Sequence, residues 1–170
     1  MSKRNKHHAF GRHIDDHPAR ATMYARPGEN WWTLTFDGNA RNNGKSHATG
    51  NWSFHVQDDY GESVATGSGP CEAFLVTNNT SEFNGLLSGL EEIERSKFIQ
   101  EANVVGLFIR GDSNLVINQM TGSWKAKNEA LQEYRDDCLD VLHRLAIPWA
   151  ARWIPREENT FCDELGRTAQ

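Results

Sequence analysis

The spacing of apolar residues changes from alternating to helical after about the first 70 residues, and this change limits the folds that the chain can adopt. Apolar side chains alternate with polar ones in 31–38, 51–61 and 62–69, which predicts three strands joined by short turns. A helical spacing follows; its apolar positions are Phe83, Leu86, Leu87, Leu90 and Ile93. Three consecutive strands before the first helix predict an antiparallel meander.

The second half of the chain alternates between helix and strand. Two further strands are predicted at 102–112 and 148–155, and three further helices at 114–122, 127–145 and 159–169. Gly122 ends the first of these helices and Asn159 caps the last. The order strand–strand–strand–helix–strand–helices–strand–helix indicates an α/β domain whose mixed sheet carries helices on both faces.

The length and charge of the chain predict one domain preceded by a basic segment. The 170 residues fit a single domain. Residues 1–29 have no apolar period and carry six Lys or Arg against three Asp or Glu, in a chain whose net charge is −5. We expect 1–29 to be a flexible tail, either a phosphate-binding arm or a solubilising one, and 30–170 to be the folded domain.

The compartment is suggested by what the sequence lacks. No run of about 20 apolar residues is present, so we expect no membrane span, and the first residues lack the apolar region of a secretory signal. The cysteines Cys71, Cys138 and Cys162 form no CxxC pair, which favours neither a disulfide framework nor a zinc site. We expect a cytoplasmic monomer.

Four acidic residues fall at the predicted ends of strands and helices. Asp37 ends the first strand, Glu82 opens the first helix, Asp112 ends the fourth strand, and Asp163 lies in the first turn of the last helix. Strand ends and adjacent helices converge on one crevice in an open α/β sheet. A cluster of buried carboxylates favours a shared cation, and oxygen ligands favour Mg²⁺ or Mn²⁺ over zinc.

Each of these acids also has a structural explanation. Asp37 could begin a turn. Glu82 could complete a capping box begun by Asn79. Asp112 could cap the helix that follows it, and Asp163 could complement a helix dipole. Periodicity alone leads no further than a mixed α/β domain with acids at the ends of its elements.

Four motifs go beyond periodicity. TFDGNARNNG, TNNTSEFNGLLSGL, IRGDSNLVINQMTG and IPREENTFCDELGR each resemble a segment of the type 1 ribonuclease H family, and they occur in the family's order. The resemblance covers Trp32 to Arg167. It implies the ribonuclease H-like fold, with three antiparallel strands followed by two parallel ones in a five-stranded sheet. The spacing between Glu82 and Asp112 is longer than expected, and we place the excess in a connection at 94–105, remote from the site.

The resemblance implies a role for each acid. Asp37 would bridge two Mg²⁺ ions, for which Mn²⁺ is a possible substitute. Asp163 would complete the site of the ion that presents the attacking water. Glu82 and Asp112 would hold the second ion, with Glu82 near the ribose 2′-OH that separates RNA from DNA. The implied activity is endonucleolytic hydrolysis of the RNA strand of an RNA–DNA hybrid, leaving 3′-OH and 5′-phosphate ends.

The resemblance also implies residues that contact the hybrid. The amides among them are Asn43, Asn78, Asn79 and Asn114, whose alternative roles are turn formation and capping. Many bacterial members have a His in the catalytic loop before the last Asp. The corresponding loop here, 154–159, contains no His, which resembles the archaeal-like branch of the family. Arg156 is the candidate replacement for that His. The family's basic protrusion is also missing. Trp124 with Lys125 could contact DNA, although we favour a core position for Trp124.

Three other functions share parts of this pattern. A DEDD-type 3′–5′ exonuclease needs a second acid in the first motif, where this chain has Asp37-Gly38-Asn39. A DDE-type integrase or transposase shares the fold, but the TNN-x-x-E motif at the helix start, residues 77–82, argues against that class. A binding module that kept the fold would not need all four acids. We therefore expect a ribonuclease H.

Overall fold

A computed structural model describes residues 29–168. Its strands are β1 (Trp31–Arg41), β2 (Thr49–Gln57), β3 (Ser63–Pro70), β4 (Gly106–Gly111) and β5 (Trp149–Trp153). Its helices are α1 (Asn78–Arg95), α2 (Phe98–Glu101), α3 (Asn114–Thr121), α4 (Glu129–Leu145) and α5 (Thr160–Thr168), with a 3₁₀ turn at Arg156–Glu158. Within this part of the chain no helix is long and apolar enough to cross a membrane. The predicted tail lies outside the described residues apart from Glu29.

The five strands form one sheet in the order β3-β2-β1-β4-β5. β1 pairs antiparallel with β2, and β2 pairs antiparallel with β3. β4 pairs parallel with β1 and with β5. The predicted mixed sheet is confirmed. Because β1, β4 and β5 run parallel to one another, their carboxyl ends lie at one edge of the sheet.

The main core lies between the sheet and helices α1, α3 and α4. Leu34 and Phe36 of β1 are fully buried there together with Leu86 and Leu90 of α1. Side chains on a strand alternate between faces, so the intervening residues of β1 and β2 face the opposite layer. α5 occupies that layer, where Phe161 stacks on His55 with ring centroids 4.1 Å apart. Helices therefore cover both faces, as predicted.

Helix α1 packs directly on the main chain of β1 because two glycines leave room for it. A Cβ atom at Gly38 would clash with the main chain of Ser81 and Glu82. A Cβ atom at Gly85 would lie 2.6 Å from the carbonyl oxygen of Asp37. The first turn of α1 and the middle of β1 are thus in backbone contact at the level of Asp37.

The first strand is longer than predicted. β1 does not end at Asp37 but continues to Arg41, because Asp37 pairs with Ser53 and the ladder runs on to Arg41 and Thr49. The turn is confined to residues 42–48, where Asn42 and Gly44 have positive φ. Asp37 is therefore a strand residue, and its role as the start of a turn is excluded.

The connection at 94–105 lies away from Asp37, as predicted. It contains the short helix α2, and Phe98 of this helix contacts Trp32 with ring centroids 5.4 Å apart. Trp32 is near the start of β1, whereas Asp37 is five residues further along it. The extra residues therefore extend the hydrophobic core at the opposite end of the strand.

Candidate active site

Three of the four predicted acids meet at one edge of the sheet. Asp37, Glu82 and Asp112 each present one carboxylate oxygen, and these oxygens all lie within 4.8 Å of one another. Asp37 comes from a central strand, Glu82 from the first turns of α1, and Asp112 from the residue after β4. The predicted convergence of these three side chains is confirmed.

Glu82 does not cap the helix that carries it. Thr77 is the N-cap of α1; its side chain accepts a hydrogen bond from the N–H of Thr80, whose hydroxyl accepts from the N–H of Thr77. Glu82 is only 9% exposed, and one of its carboxylate oxygens is buried without a hydrogen-bond partner among the described residues. The capping interpretation of Asn79 and Glu82 is wrong, because the two threonines already satisfy the helix end.

Asp112 also has no capping role. Ser113 caps α3, with its hydroxyl accepting a hydrogen bond from the N–H of Val116 at 3.2 Å. The Asp112 carboxylate instead accepts a hydrogen bond from the side-chain amide of Asn159 at 3.0 Å. Its carbonyl oxygen accepts one from the indole N–H of Trp153 at 3.1 Å. Both its side chain and its main chain are held in place at the site.

Asp163 lies beside the three clustered acids but is engaged by arginines. Its carboxylate accepts a hydrogen bond from Arg167 at 2.6 Å and lies 3.6 Å from the guanidinium of Arg156. Helix α5 is attached to the sheet one residue earlier, where the hydroxyl of Ser53 donates to the carbonyl oxygen of Cys162 at 2.6 Å. In this arrangement Asp163 is near the cluster electrostatically but is not one of its three members.

The electrostatics of the cluster favour a cation. Burial raises the pKa of Asp37 to about 7, with the Asp112 and Asp163 carboxylates adding to the rise. Burial, together with repulsion from Asp37 and Asp112, holds the pKa of Glu82 well above its usual range. A nearby Arg156 partly opposes both shifts. Carboxylates that resist ionisation in the metal-free protein are those that a bound cation would stabilise.

The ligand atoms present fit a hard divalent cation. The cluster offers carboxylate oxygens, and the Glu82 oxygen that has no hydrogen-bond partner among the described residues is available to bind a cation. Cys162 is close to the cluster, but burial raises the pKa of its thiol to about 12, and its Sγ donates to the carbonyl of Thr35. An oxygen-only donor set suits Mg²⁺ or Mn²⁺ better than zinc.

The predicted asparagines line the loops around this edge. Asn78 accepts a hydrogen bond from the N–H of Ala40, and Asn43 accepts one from the N–H of Asn78. They therefore join the β1–β2 turn to the start of α1 while remaining exposed. Asn79 is half-buried in the first turn of α1, and Asn114 is exposed at the start of α3. Whether these four amides contact a substrate stays a prediction.

Trp124 is not a core residue. Its side chain is 49% exposed, and Lys125 beside it is also exposed. The buried position of this segment is taken by Ala126, which is 7% exposed. The core interpretation of Trp124 is therefore wrong, and the indole is available at the surface next to a lysine.

Sequence reasoning missed the role of Asn159. The predicted cap of the last helix does not form, because its side-chain oxygen has no partner among the described residues. The side-chain N–H groups instead donate to the carbonyl of Phe36 at 2.9 Å and to Asp112. Its position four residues before Asp163 was visible in the sequence, but both acceptors are long-range partners that no local pattern reveals.

Comparison with known protein families gives a match over most of the chain. The family model described as reverse transcriptase-like matches residues 36–169. A bifunctional protein of Mycobacterium tuberculosis is 31% identical over 94 residues, which is 55% of this chain and 24% of that protein. The ribonuclease HI of Halobacterium salinarum is 31% identical over 134 residues, 79% of this chain and 61% of that protein. The chain thus spans less than two thirds of either relative.

Solved structures resemble the whole domain. The crystal structure of ribonuclease H1 from Halobacterium salinarum superposes with a TM-score of 0.70 at 27% identity, covering 82% of this chain and 96% of that one. LC11-RNase H1, isolated from compost by a metagenomic approach, has been solved in complex with an RNA/DNA hybrid. That complex superposes with a TM-score of 0.70 at 26% identity, covering 81% of this chain and 95% of that one.

Proposed function

The chain belongs to the reverse transcriptase-like family and is ribonuclease HI-like in sequence and fold, and from this we propose that it is a ribonuclease H. In this proposal it cuts the RNA strand of RNA–DNA hybrids internally and leaves 3′-OH and 5′-phosphate ends. The observation that carries the proposal is the cluster of Asp37, Glu82 and Asp112, whose oxygens lie within 4.8 Å of one another. The proposal is also supported by the similar structure of LC11-RNase H1, which was solved in complex with an RNA/DNA hybrid.

Four carboxylates would hold two divalent cations. Asp37, Glu82 and Asp112 supply the cluster, and Asp163 would join it by releasing its arginine partners. When bound, such ions lower the pKa of water and stabilise the charge on a departing oxygen. The protein's own share is to hold buried carboxylates at a short separation and to keep competing donors, such as the Cys162 thiol, protonated.

Substrate positioning would fall to the groups around the cluster. In this proposal Glu82 would approach a ribose 2′-OH, and the exposed amides Asn43 and Asn78 would form one continuous rim with the start of α1. Trp124 with Lys125 offers an aromatic face and a charge for the DNA backbone. Positioning of this kind supplies a large part of the rate enhancement in phosphoryl chemistry.

The test is a cleavage assay with a panel of substrates. Purified protein is mixed with an RNA–DNA hybrid, double-stranded RNA, single-stranded RNA or duplex DNA, in Mg²⁺, Mn²⁺ or a chelator. We expect internal cuts in the RNA strand of the hybrid, dependent on a divalent cation. Stepwise shortening of plain DNA from its 3′ end would instead identify an exonuclease, and tight hybrid binding without cutting would identify a binding module.

Replacing Arg156 should slow turnover more than it weakens binding. Its guanidinium is 73% exposed, lies 3.6 Å from Asp163 and lowers the pKa of both Asp37 and Glu82. We expect Arg156→Ala to reduce kcat about 5- to 10-fold, the scale of roughly 1 kcal/mol, with KM for the hybrid nearly unchanged. Arg167→Ala is the matched control, because Arg167 also pairs with Asp163. Unchanged steady-state rates in Arg156→Ala would make it a surface residue.

Removing the basic tail should weaken hybrid binding. Residues 1–29 carry a net charge of +3, and each phosphate contact contributes about 0.9 to the slope of log K against log salt. We expect the truncated protein to bind a hybrid less tightly at low salt and to show a slope smaller by about 1 to 3. An unaltered slope in fluorescence anisotropy titrations would leave the tail as a passive arm.

Two further features of the proposal concern the setting of the enzyme. We propose that the protein acts as a monomer, because its candidate site is built entirely from one chain. We also propose a cytoplasmic location, where a reducing environment would suit the three free, buried cysteines. Analytical ultracentrifugation at micromolar concentration checks the first, and cell fractionation checks the second.

A further inference from the structure

Asn159 occupies an unusual position between two parts of the candidate site. It is 2% exposed and immediately precedes helix α5. Its side-chain nitrogen donates to the carbonyl oxygen of Phe36, 123 positions away in the chain, and to the carboxylate of Asp112, 47 positions away. One amide group therefore joins β1, the end of β4 and the start of α5.

The two contacts determine the orientation of the amide. Both partners of the Asn159 nitrogen are acceptors, so a reversed amide would place its oxygen against two other oxygens. The orientation is kept although the Asn159 side-chain oxygen is buried with no partner among the described residues. Leaving a buried polar atom unpaired costs about 1 to 3 kcal/mol. The two donated bonds are maintained at that cost.

Phe36 directly precedes Asp37, so the amide links two cluster acids. Its bond to the Phe36 carbonyl anchors it to the β1 main chain beside Asp37, and its other bond holds the side chain of Asp112. The main chain of Asp112 is held separately by Trp153. A neutral amide does this without adding charge to a cluster that already repels itself.

We propose that Asn159 is a positioning residue that fixes the Asp112 carboxylate relative to Asp37 and so sets the spacing of the oxygen cluster before any cation binds. This role rests on the proposed metal-dependent activity. Groups that orient metal-binding carboxylates typically change metal affinity or activity 10- to 100-fold when they are replaced. Asn159 itself would contact neither the cation nor the substrate.

The first experiment measures cation binding without nucleic acid. Isothermal titration of Mg²⁺ into Asn159→Ala should give a dissociation constant at least about 10-fold weaker than in the unmodified protein. Cleavage assays should show a lower kcat with little change in KM. Asn159→Ser keeps one hydrogen-bond donor, which can serve only one of the two acceptors. Its Mg²⁺ dissociation constant should therefore lie between those of the unmodified protein and Asn159→Ala. This variant replaces Asn159→Ala in the experiment if the alanine variant does not fold.

Ser53→Ala is the matched control. Ser53 is fully buried, and its hydroxyl also attaches the start of α5 to the sheet, by donating to the carbonyl oxygen of Cys162 and not to a carboxylate. We expect it to lower thermal stability about as much as Asn159→Ala while keeping the Mg²⁺ affinity of the unmodified protein. Equal Mg²⁺ affinity in the Asn159 and Ser53 variants would reduce Asn159 to a structural anchor and overturn the proposal.

A double-mutant cycle in chelator separates this proposal from the proposed function. The stability losses of Asn159→Ala and Asp112→Ala should be coupled, whereas those of Ser53→Ala and Asp112→Ala should add. Additive losses for the first pair would contradict the positioning role. If the unmodified protein neither bound Mg²⁺ nor cut a hybrid, the proposed function would fail, while coupling in the cycle would still show that Asn159 holds Asp112.

Discussion

Asp112→Asn is expected to abolish cleavage of an RNA–DNA hybrid while leaving the fold intact. The substitution keeps the size of the side chain and can keep a contact with Asn159, but it removes one negative charge from the three-acid cluster. A divalent cation contributes several kcal/mol of charge stabilisation, and each 1.36 kcal/mol is a factor of ten in rate. We expect a loss of about 1,000-fold or more in kcat.

The measurement compares initial rates on one hybrid in Mg²⁺ and in Mn²⁺. Asp59→Asn is the control, since Asp59 is an exposed acid in the β2–β3 turn and the same charge is removed there. Circular dichroism and thermal unfolding should show that both variants are folded. Robust cutting by Asp112→Asn would show that this cluster is not the active site, and the assignment of all four acids would then be abandoned.

Asp37→Asn should stabilise the metal-free protein at alkaline pH. The pKa of folded Asp37 is about 7 because of its burial and the neighbouring acids, while an unfolded Asp has a pKa of about 3.9. The folded state therefore binds this proton more tightly, and stability is lost as the pH rises from about 4 through 7. The difference corresponds to about 4 kcal/mol above pH 7 at most, so we expect the variant to gain about 2 to 4 kcal/mol at pH 8.

The pH dependence gives a second readout of the same effect. In chelator, the free energy of unfolding of the unmodified protein should fall by roughly 2 to 3 kcal/mol between pH 5 and pH 8, and Asp37→Asn should flatten that slope. Added Mg²⁺ should restore stability at pH 8 to the unmodified protein more than to the variant. Equal urea unfolding curves for the two proteins at pH 8 in chelator would show that Asp37 carries no such penalty.

The hydrophobic pattern was sufficient to predict most of the elements and the sheet. Alternation in β1 and β2 and the helical spacing from Phe83 to Ile93 report which face of each element is buried, and burial determines how such elements pack. Because the pattern predicted where each element ends, it also showed that the four acids lie at the ends of strands and helices. Their grouping into one site followed from the convergence of strand ends expected in an open α/β sheet and from the motif resemblance.

What the sequence did not reveal depends on partners distant in the chain. The length of β1 beyond Asp37 follows from its pairing with β2. Asn159 precedes α5 and could cap it, but its side chain donates instead to Phe36 and Asp112, which are distant in the chain. Trp124 is exposed because a smaller neighbour, Ala126, fills the interior. No window of local sequence contains this information.

The contact between the main chains of α1 and β1 has a consequence for how the site tolerates change. Gly38 and Gly85 allow no side chain between the helix and the strand, so the distance between the main chains that carry Asp37 and Glu82 is determined by direct backbone contact. Losses of packing elsewhere, for example in the layer between α1 and α4, can lower the stability of the domain without altering that distance. The site therefore cannot widen between the main chains of Asp37 and Glu82 to accept a cation of larger radius. Any adjustment to cation size must come from the side formed by Asp112 and Asp163.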